Sequence, residues 1–157
     1  VFRQKIWLIA TSLAIMGLLI YLGDRWADQH YKIETDFKHI TLPQAFIIGL
    51  SQSLAIIPGF SRSGTTILTS RLMGLSKEAA TKFTFLLSVP IIMGASILKL
   101  GALSLNIETF IGMLTAFIVG IFSIKFLLNY IKKHDFSIFA IYRVIFALII
   151  LIKFFCF

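Results

Sequence analysis

The chain has 157 residues, of which 58% are hydrophobic and 14% are charged, and its mean hydropathy is +0.92. A soluble domain could not hide so much apolar surface, so the composition excludes a water-soluble fold and indicates a polytopic membrane protein. The formal net charge of +8 does not point to nucleic acid, because the basic residues lie mostly in connecting loops, where they set topology and meet anionic lipid headgroups. The single cysteine, Cys156, rules out an intrachain disulfide.

Four segments are apolar over a length close to the roughly 20 residues that a membrane-spanning helix needs. They are residues 6–22, 79–98, 109–130 and 137–154. Tyr21 and Trp26 close the first segment as interface anchors do, so we interpret it as a membrane helix followed by an interfacial loop over residues 23–41. Pro90 should kink the second segment. The third carries small residues for close helix packing at Gly112, Ala116 and Gly120.

The stretch between the first two segments follows a different pattern. Thr41 and Pro43 predict a helix start, and the apolar run that follows ends at Pro58. A second helical piece is predicted over residues 65–75. Neither piece is long enough to cross about 30 Å of hydrocarbon at a rise of about 1.5 Å per residue. We therefore predict a re-entrant hairpin over residues 42–75 with its tip near the midplane, and one broken spanning helix is the alternative.

The turn of this hairpin, residues 58–64, has the sequence PGFSRSG. An arginine at membrane depth is costly and is normally kept for a partner, and irregular backbone survives there only when it is buried in protein or lines a wet cavity. Gly59 and Gly64 let the backbone approach an anion, and the amides from Ser63 to Thr66 form the positive start of the second helix. Together with the forked donors of Arg62, these groups favour a phosphate ligand.

The alternative is a structural turn whose arginine is neutralised by a carboxylate elsewhere. The acidic residues all lie in loops or at predicted helix ends, so Arg62 has no obvious partner; they are Asp24, Asp28, Glu34, Asp36, Glu78, Glu108 and Asp135. Two further arginines lie within apolar helices. Arg71 is a candidate for lipid headgroups or phosphate, and Arg143 for the site or for a neighbouring helix. The histidines lie in polar stretches and are interpreted as solvated residues and not as metal ligands; they are His30, His39 and His134.

The segment GLSQSLAIIPGFSRSGTT at residues 49–66 resembles one family, the bacterial undecaprenyl-diphosphate phosphatases of the bacitracin-resistance type. The resemblance continues through AATKFTFLLSVP at residues 79–90 and, more faintly, through Tyr142 and Arg143. It implies a multi-pass enzyme of the bacterial plasma (inner) membrane, built from two inverted repeats that each carry a re-entrant hairpin. Such enzymes remove the terminal phosphate of undecaprenyl diphosphate with the help of a divalent cation, Mg²⁺ or Ca²⁺, and so recycle the carrier lipid of cell-wall synthesis.

Carried over residue by residue, the resemblance makes Ser61, Arg62 and Thr66 the catalytically important positions. It assigns substrate binding to Gly59, Ser63, Gly64, Thr65 and Gln52. Gln52 has an equally good alternative in a hydrogen bond between helices. No metal ligand is assigned within the chain.

The chain also departs from the family pattern. The glutamate pair and the Ser-Ser-x-Gly-His segment that the first repeat of the family supplies are not found in it. We therefore expect an all-α membrane bundle that forms one integral-membrane domain over residues 1–157 and is the C-terminal half of a longer enzyme. On this view the nucleophile, the base and the cation ligands lie outside the chain. The competing hypotheses are a non-enzymatic translocase for polyprenyl phosphate or another anion, and a purely structural hairpin. The oligomeric state, including a homodimer, stays open.

Overall fold

The computed structural model of the chain describes residues 6–31, 35–102 and 106–156. Within these ranges the protein is built from α-helices and short 3₁₀ turns, which confirms the all-α fold class; the one strand-like contact is an isolated bridge between Thr35 and Leu75. The helices are α1 (Ile6–His30), α2 (Leu42–Ser51), α3 (Arg62–Leu72), α4 (Lys77–Lys99), α5 (Ile107–Ile131) and α6 (Ser137–Cys156).

The helices α1, α4, α5 and α6 are long and apolar enough to cross a membrane, as predicted. Polar side chains define where two of them begin. The hydroxyl oxygen of Ser76 accepts a hydrogen bond from the Ala79 amide before α4, and the side-chain oxygen of Asn106 accepts one from the Thr109 amide before α5. These caps satisfy amides that have no partner inside the helix. Pro90 lies inside α4, which continues on both sides of it.

The interfacial loop predicted over residues 23–41 is wrong for its first part, because α1 continues to His30. Gly23 does not end the helix; it makes room for α3, since a Cβ atom at this position would lie 2.2 Å from Leu68 Cδ1. Asp24 lies one turn before Asp28, and both carboxylates bind Arg71 of α3. Helix α1 therefore continues past its apolar segment because Arg71 of α3 neutralises the two carboxylates that follow that segment. Residues 32–34 lie outside the described residues.

The stretch over residues 42–75 folds as two short helices joined by a turn. Thr41 caps α2 as predicted, and its hydroxyl and the Gln44 side chain form a reciprocal capping box. After α2 the chain continues as a 3₁₀ turn over Gln52–Ile56 and reverses direction at Gly59, whose φ angle is +94°. The second helix begins at Arg62, three residues earlier than predicted. Whether this hairpin re-enters the membrane stays a prediction.

Helix α1 lies at the centre of the fold, between α3 and α6. Contacts between α1 and α3 advance together along the two sequences, from Gly59 on Ile9 to Leu68 on Gly23, so these helices run parallel. Helix α6 runs antiparallel to α1. The interior between them is a cluster of Met16, Ile20, Ile131 and Phe136.

Much of α4 and α5 projects away from this core. Residues 91–101 are exposed, and within the described residues nothing lies within 4 Å of a Cβ atom built at Gly112 or Gly120. The close packing predicted for this small-residue stripe is therefore not found among the described residues. The exposed side chains there are apolar, as expected of helices that contact lipid.

Candidate functional site

The first turn of α3 carries the polar part of the hairpin. Ser61 is the N-cap, and its side-chain oxygen accepts a hydrogen bond of 3.1 Å from the Gly64 amide. Its carbonyl accepts a bond of 2.9 Å from the Thr65 amide. Of the amides from Ser63 to Thr66 that were predicted to attract an anion, those of Gly64 and Thr65 are already bonded to Ser61. The amides of Arg62 and Ser63 bond no group in the part of the chain that the structure describes, and they remain available to an anion.

Arg62 is half-buried at the start of α3. Its guanidinium makes no hydrogen bond or ion pair with any residue in the ranges 6–31, 35–102 and 106–156. The alternative of a turn arginine neutralised by a carboxylate thus finds no such carboxylate among the residues described. A half-buried guanidinium with no partner among the described residues is typical of a site that binds a ligand.

The two glycines of the turn bring it against α1. A Cβ atom at Gly59 would lie 2.5 Å from the carbonyl oxygen of Ile9, and its positive φ angle also disfavours a side chain. A Cβ atom at Gly64 would lie 3.0 Å from Ile20 Cδ1 and 3.3 Å from Met16 Cε. Both glycines therefore have a packing role in the structure, and their role towards an anion stays a prediction.

The two threonines that follow are buried within α3. The Thr65 hydroxyl donates to the Arg62 carbonyl at 2.8 Å. The Thr66 hydroxyl lies 3.0 Å from the Thr84 hydroxyl of α4 and within hydrogen-bond distance of the Arg62 and Ser63 carbonyls. These groups hold the first turn of α3 to itself and to α4, and a contact with substrate stays a prediction for both.

The remaining predicted positions differ in exposure. Ser63 lies in the first turn of α3, is exposed, and lines the cavity described below. Gln52 begins the 3₁₀ turn after α2, is half-buried, and its side chain bonds no other residue among those described. The alternative of a helix–helix hydrogen bond is therefore not found there. Of the predicted set, the structure places Ser61, Arg62 and Ser63 together at the start of α3, with Thr65 and Thr66 behind them.

Arg71 does not reach lipid headgroups, and that hypothesis is wrong. Its side chain is 1% exposed, and its Nε atom donates to Asp24 Oδ1 at 2.7 Å. The Nη1 atom donates to the Leu75 carbonyl, and the Nη2 atom binds Asp28. Sequence reasoning missed this pair because Asp24 and Asp28 seemed to belong to a loop. Their four-residue spacing, which places both on one helix face, is the signal that could have found it.

Lys77 completes this network at the start of α4. Its ammonium group binds Asp28 at 2.9 Å and also binds Asp135, which precedes α6. The hydrogen bond from Lys77 lowers the pKa of the Asp135 carboxyl. Oxygen atoms of the Asp24, Asp28 and Asp135 carboxylates lie within 4.8 Å of one another, but these groups already form ion pairs with Arg71 and Lys77. The network is thus a clamp that joins α1, α3, α4 and the start of α6.

The comparison with known proteins gives the family. Residues 1–149 match the protein family described as Bacitracin resistance protein BacA. The chain belongs to this family. Curated relatives named undecaprenyl-diphosphatase include those of Desulforudis audaxviator, Caldicellulosiruptor bescii and Lachnoclostridium phytofermentans, which are 43%, 45% and 46% identical to the chain. The matches cover 92%, 96% and 90% of this chain but 55%, 57% and 54% of those relatives. The chain therefore spans about half the length of the curated relatives it matches.

A cavity of about 210 Å³ adjoins the α3 start in this BacA-family chain. Ser63 and Gly64 line one side, and Arg143 of α6 lines another. Tyr142 of α6 also lines the cavity, and the rest of its wall is formed by the apolar side chains Ile20, Ile67, Leu127, Ile131, Phe136 and Phe139. The cavity thus combines a cationic side chain and hydroxyl groups with a mostly apolar wall.

Proposed function

We propose that the complete protein hydrolyses undecaprenyl diphosphate to undecaprenyl phosphate and inorganic phosphate, and so recycles the carrier lipid of cell-wall synthesis. Membership of the BacA family and the names of the relatives support this activity. The observation in the chain itself that carries it is Arg62 at the start of α3, whose guanidinium has no partner among the residues that the structure describes. A diphosphate is the partner that matches its charge and its paired donors.

In this proposal the described residues bind and neutralise the diphosphate. Arg62 bonds two phosphate oxygens, and the amides of Arg62 and Ser63 add donors at the positive end of the α3 dipole. The Ser61 oxygen already accepts a bond from Gly64, so its hydroxyl hydrogen remains free to donate to a phosphate oxygen. Water attacks the terminal phosphorus, the phosphoanhydride bond breaks, and the leaving oxygen stays with the lipid monophosphate. No carboxylate or histidine in the described residues bonds Ser61, so we assign it to binding and not to nucleophilic attack.

A divalent cation, Mg²⁺ or Ca²⁺, is part of the proposal, but the described residues do not fit one. The carboxylate cluster of Asp24, Asp28 and Asp135 is held by Arg71 and Lys77. It also lies at the other end of α3 from Ser61, about 15 Å away at the rise of an α-helix. The start of α3 offers hydroxyls and amides, which alone do not make a site for such an ion. We therefore derive no step through a metal, and place its ligands outside the described residues.

The membrane placement follows from the same features. We propose a multi-pass protein of the bacterial inner membrane, with the hairpin of α2 and α3 re-entering the bilayer and the prenyl chain lying among the apolar helices. The two short helices support this arrangement, as does the guanidinium of Arg62 at their turn, which no residue in the described ranges pairs with. Exposed backbone amides persist at membrane depth only beside a cavity or protein.

The test is phosphate release by the complete protein in liposomes that contain undecaprenyl diphosphate. Arg62→Ala and Ser61→Ala should lower the release rate at least about 100-fold, the scale of losing a preorganised donor to the transition state. The matched control is Arg25→Ala, an exposed arginine of α1 that stacks on Tyr21. Full activity of both variants would refute the proposal. Movement of lipid phosphate across the bilayer without phosphate release would instead favour the translocase.

A further inference from the structure

The backbone of Arg143 in α6 packs closely against α1. A Cβ atom at Gly17 of α1 would lie 3.1 Å from Arg143 Cβ and 3.1 Å from the Ala140 carbonyl oxygen. The backbones of α1 and α6 therefore meet at this point, and the Arg143 side chain leaves α6 directly beside α1. Arg143 lines the same cavity as Ser63 and Gly64 at the start of α3.

The guanidinium of Arg143 contains a nitrogen atom, Nη1, that no described residue satisfies. Its Nη1 atom is buried and has no hydrogen-bond partner, and it is the one buried side-chain nitrogen or oxygen in this condition among the residues described. A buried guanidinium is usually paired with a carboxylate, but the Asp24, Asp28 and Asp135 carboxylates bind Arg71 and Lys77 instead. Buried donors in folded proteins are almost always bonded, so an orphaned guanidinium indicates an anion that binds there.

The cavity beside Arg143 indicates which kind of anion. Ser63, with an exposed side chain and an unbonded amide, lines the same space, so donors face it from both α3 and α6. Most of the remaining wall is hydrocarbon, from Ile67, Leu127 and Phe139 among others. A small hydrophilic anion would leave this wall unused. A phosphate attached to a hydrocarbon chain would satisfy both parts.

We propose that Arg143 is a phosphate-binding residue for the polyprenyl substrate: together with Ser63 it holds one phosphate group of the lipid, and the apolar cavity takes the first isoprenoid units. The proposal deepens the hydrolase function above and rests on it. It assigns two arginines to the lipid head, Arg62 from the start of α3 and Arg143 from α6. Binding at Arg143 forms and breaks no covalent bond.

The experiment measures ligand binding by the complete protein in nanodiscs. The probes are a non-hydrolysable polyprenyl methylene-bisphosphonate and, separately, inorganic phosphate. Arg143→Gln should weaken binding of the lipid probe about 10- to 100-fold, as expected for losing a hydrogen-bonded charge, and Arg143→Lys should recover part of the loss. Arg25→Gln is the matched control and should bind as the wild type does. Leu127→Trp narrows the cavity and should weaken the lipid probe but not inorganic phosphate.

A readout of stability separates binding from a structural role. Because Nη1 of Arg143 has no partner in the described part of the chain, Arg143→Gln should leave the unfolding midpoint of the ligand-free protein unchanged or raise it. It should also remove the stabilisation that the lipid probe gives. Wild-type affinity in Arg143→Gln would overturn the proposal. So would a lowered midpoint without ligand, or a loss of inorganic phosphate binding alone. If the wild type releases no phosphate yet binds the lipid probe through Arg143, the hydrolase function fails and this site stands.

Discussion

Arg71→Met is the substitution for which the structure gives the clearest energetic expectation. Methionine keeps most of the side-chain volume and removes the guanidinium that bonds Asp24, Asp28 and the Leu75 carbonyl. Asp24 then stays buried, with a side chain 5% exposed, and its nearest remaining cation is Lys77 at 3.7 Å. Three carboxylates share one cation where they previously shared two.

The expected loss is about 3–5 kcal/mol in the free energy of unfolding, the cost of breaking a buried ion pair by removing one partner. The unbonded Leu75 carbonyl adds to this cost, while Lys77 offsets part of it. The double variant Asp24→Asn with Arg71→Met should lose less than the sum of the two single variants, because the buried negative charge has gone with its partner. Lys82→Ala, which breaks an exposed pair with Glu78, should change stability little.

The assay is unfolding of the complete protein in mixed detergent and SDS micelles, followed by tryptophan fluorescence. Arg71→Met should unfold at a clearly lower SDS fraction than the wild type and Lys82→Ala. An Arg71→Met variant that unfolds at the wild-type SDS fraction would contradict the reasoning, since it would mean that the bonds to Asp24 and Leu75 contribute nothing. Additive losses in the double variant would show that Asp24 and Arg71 act independently.

Three further predictions are tested by unfolding measurements, together with phosphate release for Thr66. Gly59→Ala should destabilise the protein by about 1–3 kcal/mol, because the φ angle of Gly59 is +94° and the new Cβ would meet the Ile9 carbonyl oxygen. Gly49→Ala is the control and should not destabilise it, since nothing lies within 4 Å of a Cβ atom built there. Equal unfolding midpoints for the two variants would contradict this reasoning. Thr66→Val should cost about 0.5–1.5 kcal/mol through the lost bond to Thr84, and Thr66→Ser should not; a fall in phosphate release far beyond that loss would show that Thr66 contacts substrate. Lys77 lowers the pKa of the Asp135 carboxyl in the folded protein, so the ionised carboxylate stabilises the fold. This contribution should be complete above the ordinary aspartate pKa and should disappear as the pH falls through the lowered value. An acid titration of unfolding in which Asp135→Asn shows the same pH dependence as the wild type would refute it.

The parts of the fold that depend on local pattern could be predicted from the sequence. The four spanning helices follow from the length of apolar runs, and the start of α2 follows from Thr41 with Gln44 three residues later. The position of Arg62 beside a glycine-rich turn was also sufficient to single it out. Each of these signals is contained within a few turns of chain.

The remaining features depend on contacts that are distant along the chain. Arg71 is bonded to a carboxylate 47 residues away. The spacing of Asp24 and Asp28 marks one helix face, but it does not indicate which helix packs against that face. The helical extension of α1 to His30 depends on the same contact, because Asp24 and Asp28 remain helical where α3 neutralises them. The early start of α3 was missed because Gly64 resembles a helix breaker. Its lack of a side chain instead lets the first turn pack against Ile20.

The arginines of the hairpin and of α6 therefore differ in a way that composition cannot show. Arg71 closes one end of α3 onto α1 with all of its charge compensated, which holds the helix at a fixed place along α1. Arg62 begins the other end, and neither it nor Nη1 of Arg143 has a partner among the described residues. In a low-dielectric bundle, uncompensated guanidinium groups are unfavourable until an anion binds. Under the proposed function, the free energy of binding a diphosphate would therefore be concentrated at these two arginines. Loss of Arg71 should accordingly lower stability with or without ligand, whereas loss of Arg143 should be visible only when the lipid is bound.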